Sequence, residues 1–223
     1  MSVPLSPFFG GTRPAAISGL YAVTPDLLDS DALAERVAAA ITGGANAVQY
    51  RNKIASPPLQ RAQALALRDL CASENVRFIV NDDIDLAYAV DADGVHLGRD
   101  DAPIGHARRR LGRAAIIGAS CYDSLQRAAA AVDEGADYIA FGSFFPSIVK
   151  PGAARAEAGL LTAAKSRWSV AVVAIGGITA AAAPALIDAG ADALAVISAI
   201  FDAPDVAASA KAFRDLFAAR TVI

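Results

Sequence analysis

Ile79-Val80-Asn81-Asp82-Asp83 and Gly94-Val95-His96-Leu97-Gly98-Arg99-Asp100-Asp101 each run a short apolar stretch straight into carboxylates. A parallel barrel ends every strand at the same face, so it gathers such residues in one place however far apart they lie in sequence. Asp83 opens the segment that follows and reads as a helix cap. The other acids, on two neighbouring strand ends, would stand close enough to repel. A divalent cation relieves that repulsion, and hard oxygen ligands beside a phosphate suit Mg²⁺.

Outward from these stretches, short β-branched or aromatic runs alternate with longer Ala- and Leu-rich segments of helical spacing, the pattern of repeated βα units. Strands are predicted at residues 19–23, 47–50, 77–80, 94–97, 115–119, 138–141, 170–174 and 193–197, each before a helix. Between residues 31 and 42, for example, Leu33, Val37, Ala40 and Ile41 recur at helical spacing and Gly43-Gly44 supplies the stop. A small-residue phrase precedes strands three times, as Gly43-Gly44-Ala45-Asn46, Gly135-Ala136-Asp137 and Gly190-Ala191-Asp192, and reads as structural. Eight like units with right-handed crossovers close into a single (β/α)8 TIM barrel. An open doubly wound sheet would more often carry a glycine fingerprint after its first strand, where this chain has Thr24-Pro25-Asp26.

Length and composition agree with one α/β domain. The chain has 223 residues, 55% hydrophobic and 19% charged, which is enough apolar material for a full core and too much for disorder. Residues 1–16 read as a loose leader rich in Pro, Gly and Ser without the continuous apolar segment of a secretory signal, and residues 17–223 as the barrel. Cytoplasm is the expected address. No apolar run approaches the roughly 18 residues that would span a bilayer. The net charge of -3 and the lack of a basic stripe argue against nucleic acid as a partner. Arg108-Arg109-Arg110, the one basic run, reads as a solvated helix end before Gly112. Cys71 and Cys121 are too few and too isolated for a disulfide framework or a zinc site, and both are read as thiols. The sequence leaves monomer and homo-oligomer open.

The predicted strand ends carry a consistent set of polar groups. In Gln49-Tyr50-Arg51-Asn52-Lys53, alternation points Gln49, Arg51 and Lys53 the same way. Two cations and an amide on one face suit a multiply charged anion such as a diphosphate; a salt bridge to the acidic strand ends is compatible with that role. Phe141-Gly142-Ser143-Phe144-Phe145-Pro146-Ser147-Ile148-Val149-Lys150-Pro151-Gly152 is too long and apolar for a simple turn and reads as a lid that brings Lys150 over the mouth. Gly176-Gly177 after the seventh strand and Ile197-Ser198 after the eighth stand where barrels bind phosphate through backbone amides and a helix N-terminus. His96 alternates with Val95 and Leu97 inside a strand and reads as packed and hydrogen-bonded; His106 reads as exposed on a helix.

These motifs resemble the thiamine-phosphate synthase family over essentially residues 19–217. The resemblance implies a TIM-barrel transferase that joins 4-amino-5-hydroxymethyl-2-methylpyrimidine diphosphate to a thiazole phosphate, giving thiamine phosphate and pyrophosphate. It implies Asp82 and Asp101 as Mg²⁺ ligands and Asn81 as a contact to the pyrimidine. Gln49, Arg51 and Lys53 match the family's strand-two motif, Ser120 its serine after strand five and Lys150 its lid lysine. Ser147 and Val149 stand at the two lid positions that usually carry hydroxyls, so Val149 departs from the pattern. Asn52 replaces a common acid in the strand-two motif. Gly177, Ile197 and Ser198 match the thiazole-phosphate cradle. Arg51, Lys53, Lys150 and Ser120 would carry the catalysis, with no protein nucleophile. Three other readings compete. A thiazole tautomerase of the same superfamily would need neither the acids nor the strand-two cations. A sugar-phosphate isomerase or epimerase would need a general base, for which His96 is the only candidate. A silent regulatory barrel would bind precursors without turnover.

Overall fold

Strands with both faces buried read as near-continuous apolar runs, and the chain supplies them at regular intervals. The computed structural model describes residues 17–146 and 156–220. Their elements run β1 (Gly19–Val23), α1 (Ser30–Thr42), β2 (Ala45–Tyr50), α2 (Pro57–Ser73), β3 (Arg77–Asn81), α3 (Ile84–Ala89), β4 (Gly94–Leu97), α4 (Ile104–Leu111), β5 (Ile116–Tyr122), α5 (Leu125–Asp133), β6 (Tyr138–Phe141), α6 (Gly159–Arg167), β7 (Ala171–Ile175), α7 (Ala183–Asp188), β8 (Ala193–Val196), α8 (Ser198–Phe201) and α9 (Val206–Arg220). The strands form a closed parallel barrel in sequence order, with β8 paired back to β1. The leader reading of residues 1–16 lies outside the described residues.

Alternation divides each strand between two cores. Leu20, Val48, Phe78, Val95, Ile117 and Leu194 face the helices, while Tyr21, Ala47, Ile79, Ile116, Tyr138 and Ala193 fill the lumen. Alanines at 47, 171, 193 and 195 leave the lumen room for the rings of Tyr21 and Tyr138, which are buried to 1% and 0% exposure.

Sequence and structure differ mainly at element ends. β5 runs on to Tyr122, with a register shift between Ser120 and Tyr122. β8 stops at Val196 because Ile197 turns away to cap α8, a four-residue helix that makes the eighth unit longer than the others. The caps follow side-chain chemistry: Asp29, Asp83 and Ser124 accept from the backbone N–H three residues on, at 3.0, 2.8 and 3.2 Å.

The small-residue phrases before strands have a counterpart in space. Carboxylates at the start of β8 and β6 accept from the N–H of the second residue of the preceding strand: Asp192 from Val172 and Asp137 from Ile117, both at 2.8 Å. Asp93, in a fourth phrase with its glycine after the acid, does the same for Phe78 at 2.8 Å. Each acid also holds a cation: Lys165 at 2.9 Å, Arg108 at 2.6 Å and Arg77 at 3.2 Å. Arg108 is therefore no solvated helix end. Its guanidinium also donates to the carbonyls of Ala115 at 2.6 Å and Gly135 at 3.0 Å, fastening the barrel floor.

Candidate active site

The carboxylates that the sequence offers as a pair stand together. Asp82 leaves β3 with φ of 64°, a left-handed conformation that Asp tolerates better than most residues. Its carboxyl is pushed up to about 6, first by burial and then by a hydrogen bond and repulsion from Asp101, while Lys53 and Asn81 pull the other way. Asp101 is fixed by accepting from the Gly98 N–H at 2.7 Å. The described residues hold no group of three or more acidic, His or Cys side chains that would ligate a metal, so this is a two-carboxylate site. The donor set still fits Mg²⁺, which takes few protein oxygens and completes its shell with water and phosphate.

The strand-two cations flank the acids. Lys53 Nζ lies 3.7 Å from Asp82 Oδ2. Arg51 is held by Asp26 at 3.2 Å, and its backbone N–H donates to Thr24 Oγ1 at 2.8 Å. Asp26 also accepts from the Lys53 N–H at 2.7 Å. Thr24 and Asp26 thus orient both cations, although the sequence used them only to exclude a dinucleotide fold. Asn52 points the opposite way: it is 5% exposed and donates to Leu27 O at 2.7 Å and Gln63 Oε1 at 3.0 Å. This departure from the family motif therefore sits in the packing behind β2, outside the mouth.

Inside the rim, Gln49 donates to the Tyr21 hydroxyl at 2.8 Å. His96 bonds through Nδ1 to the Tyr138 hydroxyl at 2.9 Å and through Nε2 to Ser120 Oγ at 2.8 Å. The expectation of a packed, hydrogen-bonded histidine holds. Cys121, one residue past Ser120, points to the helix layer, fully buried, and burial pushes its thiol up to about 12. His106 is exposed on α4.

Across the mouth, Gly176 and Gly177 adopt φ of 104° and 64°. A Cβ at Gly177 would meet Pro146 O at 2.4 Å, and one at Gly176 would meet Ser143 Oγ at 2.2 Å. The glycines let the chain after β7 pass beneath the root of the loop that leaves β6. Beside them Ile197 caps α8 and Ser198 opens it. Ser147, Val149 and Lys150 lie outside the described residues.

Comparison with known proteins points to one family. A family model described as thiamine monophosphate synthase matches residues 20–200. A thiamine-phosphate synthase of Thiobacillus denitrificans is 56% identical over 201 residues, covering 90% of this chain and 95% of its own. One from Chromobacterium violaceum is 52% identical, covering 93% and 100%. Among solved structures, a thiamine phosphate pyrophosphorylase from Pyrococcus furiosus superposes with a TM-score of 0.82 at 37% identity, covering 90% and 96%. With a paired-acid mouth, flanking cations and matches over most of its length, the chain belongs to the thiamine monophosphate synthase family.

Proposed function

We propose that this protein is a thiamine-phosphate synthase acting on the pyrimidine diphosphate and a thiazole phosphate. The observation that carries the reading is the meeting of Asp82, Asp101 and Lys53 at one rim, with Arg51 alongside. An acid pair in which burial and the neighbouring Asp101 push Asp82 up, beside two cations, suits a diphosphate that arrives with a divalent ion. Bound there, Mg²⁺ would screen the diphosphate charge and help it leave.

The chain's own groups divide the remaining tasks. Arg51 and Lys53, with Lys150 assigned by its place in the motif, stabilise the departing pyrophosphate. The C–O bond to the pyrimidine methylene breaks as the electron pair leaves with pyrophosphate, and the thiazole nitrogen donates its pair to the methylene carbon. Asn81, Gln49 and Ser120 hold the pyrimidine where that attack is short and in line. The loops after β7 and β8, with Gly177, Ile197 and Ser198 at a short extra helix, stand where TIM barrels commonly seat a phosphate. The family motif assigns Ser147 and Val149 to the same ligand. A tautomerase has no use for the acid pair or its cations, which favours the synthase.

The test is an end-point assay with both substrates, with and without Mg²⁺, that detects thiamine phosphate and pyrophosphate. Product only with Mg²⁺ is expected, and Asp82→Ala should lose it while keeping the wild-type far-UV spectrum. Unchanged turnover in that folded variant would remove the metal assignment.

A further inference from the structure

Five side chains from five strands make one unbroken hydrogen-bond chain through the upper lumen: Gln49, Tyr21, Tyr138, His96 and Ser120. Its two ends are groups assigned above to the substrate. Its middle is two buried phenols and an imidazole that the reaction does not use.

The donors and acceptors can be followed link by link. The Gln49 amide donates to the Tyr21 oxygen at 2.8 Å. Tyr21, at 1% exposure, then gives its single proton to Tyr138, 2.9 Å away. Burial raises both phenols well above their usual range, so each keeps that proton. Tyr138 has one proton too, and with Tyr21 donating to it, that proton goes to His96 Nδ1 at 2.9 Å. A neutral imidazole that accepts at Nδ1 carries its hydrogen on Nε2. That hydrogen goes to Ser120 Oγ at 2.8 Å, which leaves the serine hydroxyl hydrogen free for the mouth.

Reversing any link reverses all those beyond it, because every phenol has one proton and a neutral imidazole has one N–H to place. The sheet register supports the arrangement. His96, Gly118 and Tyr138 lie in one row across β4, β5 and β6. A Cβ at Gly118 would stand 1.9 Å from the Tyr138 ring, so the bare glycine is what lets that ring lie across to stack on His96, with centroids 5.5 Å apart and planes 24° apart.

We propose that this chain is a polarity relay: Tyr21 and Tyr138 are positioning residues that hold His96 in its Nε2–H form and so present Ser120 to the pyrimidine as a hydrogen-bond donor. The substrate class rests on the synthase reading; the polarity of the chain does not.

The test is ¹⁵N NMR of the histidine-labelled substrate-free protein, with His106→Gln to assign the two imidazoles, beside kcat for wild type and Tyr21→Phe. Tyr21 hydrogen-bonds to Gln49 and Tyr138, and Tyr138 in turn to His96, so a change at His96 in that variant is expected to pass along the chain. Expected are an Nε2–H resonance in wild type, a mixture of tautomers in Tyr21→Phe, and a kcat lowered several-fold with the thermal midpoint nearly unchanged. Gly118→Ala, which displaces Tyr138, should give the same mixture. A wild-type Nδ1–H tautomer overturns the relay, as does a tautomer that stays Nε2–H in both variants. If the tautomers behave as expected while Ser120→Ala turns over normally, the relay stands and the substrate role of Ser120 falls.

Discussion

Asp82 is destabilised where it stands, by left-handed backbone and by a second carboxylate within hydrogen-bonding reach. Its folded value of about 6 lies above the usual carboxylate range, so the metal-free fold holds a proton that the unfolded chain releases. The stabilising contribution is therefore complete below about pH 4 and is lost as pH rises through 6. Removing the repulsion should show the same window in reverse. In chelator, Asp101→Asn keeps an oxygen for the Gly98 N–H and should melt above wild type at pH 7.5, with the gap closing toward pH 4. A third of the Asp82 side chain is exposed and solvent screens the pair, so the gain is about 1 kcal/mol, or ~2–4 °C for a chain of this size. An equal gap at both pH values would mean that the pair does not share a proton.

The acids that start β4, β6 and β8 act at the opposite end of the barrel from Asp82 and Asp101. Each satisfies a strand N–H that closure would otherwise bury unpaired, and each is held by a cation. Arg108→Ala takes the cation from one such carboxylate, 14% exposed, and a donor from each of two carbonyls, which should cost about 2–3 kcal/mol in denaturant unfolding with kcat unchanged. A comparable loss of kcat would place the clamp within the catalytic machinery. The elements were legible because apolar runs and Gly stops recur locally, and six of the eight predicted strands begin and end within one residue of the observed bounds, all but those predicted at 47–50 and 115–119. The clamp partners were not. Arg108 and Asp137 are 29 positions apart, and a run of three arginines at a helix end looks the same in sequence whether it faces water or a neighbouring acid. Asn52 shows the converse limit. It stands in the motif between two mouth cations, and alternation sets it on the other side from them, but its partner Gln63, 11 positions on, could not be read from the motif.

Across the whole molecule, the barrel separates a fastened floor from a mouth whose groups are poised against one another. Strand-end chemistry was readable because a parallel barrel collects it whatever the intervening sequence; the link between Tyr21 and Tyr138, on β1 and β6, follows no period and appears only once the barrel closes. The division predicts how ligands and damage combine. A ligand that binds only the folded mouth at 100 times its dissociation constant adds about 2.7 kcal/mol to stability, or ~5–10 °C here. Mg²⁺ with pyrophosphate should therefore raise the midpoint of wild type by that order, measured by differential scanning calorimetry at pH 7.5. Arg108→Ala should start lower and rise by the same amount, because its lesion and the ligand share no partner. Asp82→Ala loses the repulsion but fits the left-handed backbone less well, so it should start near wild type and gain almost nothing from the ligand. A full shift in Asp82→Ala would mean that pyrophosphate is held by the cations alone, and a reduced shift in Arg108→Ala would mean that floor and mouth do not act as separate ends.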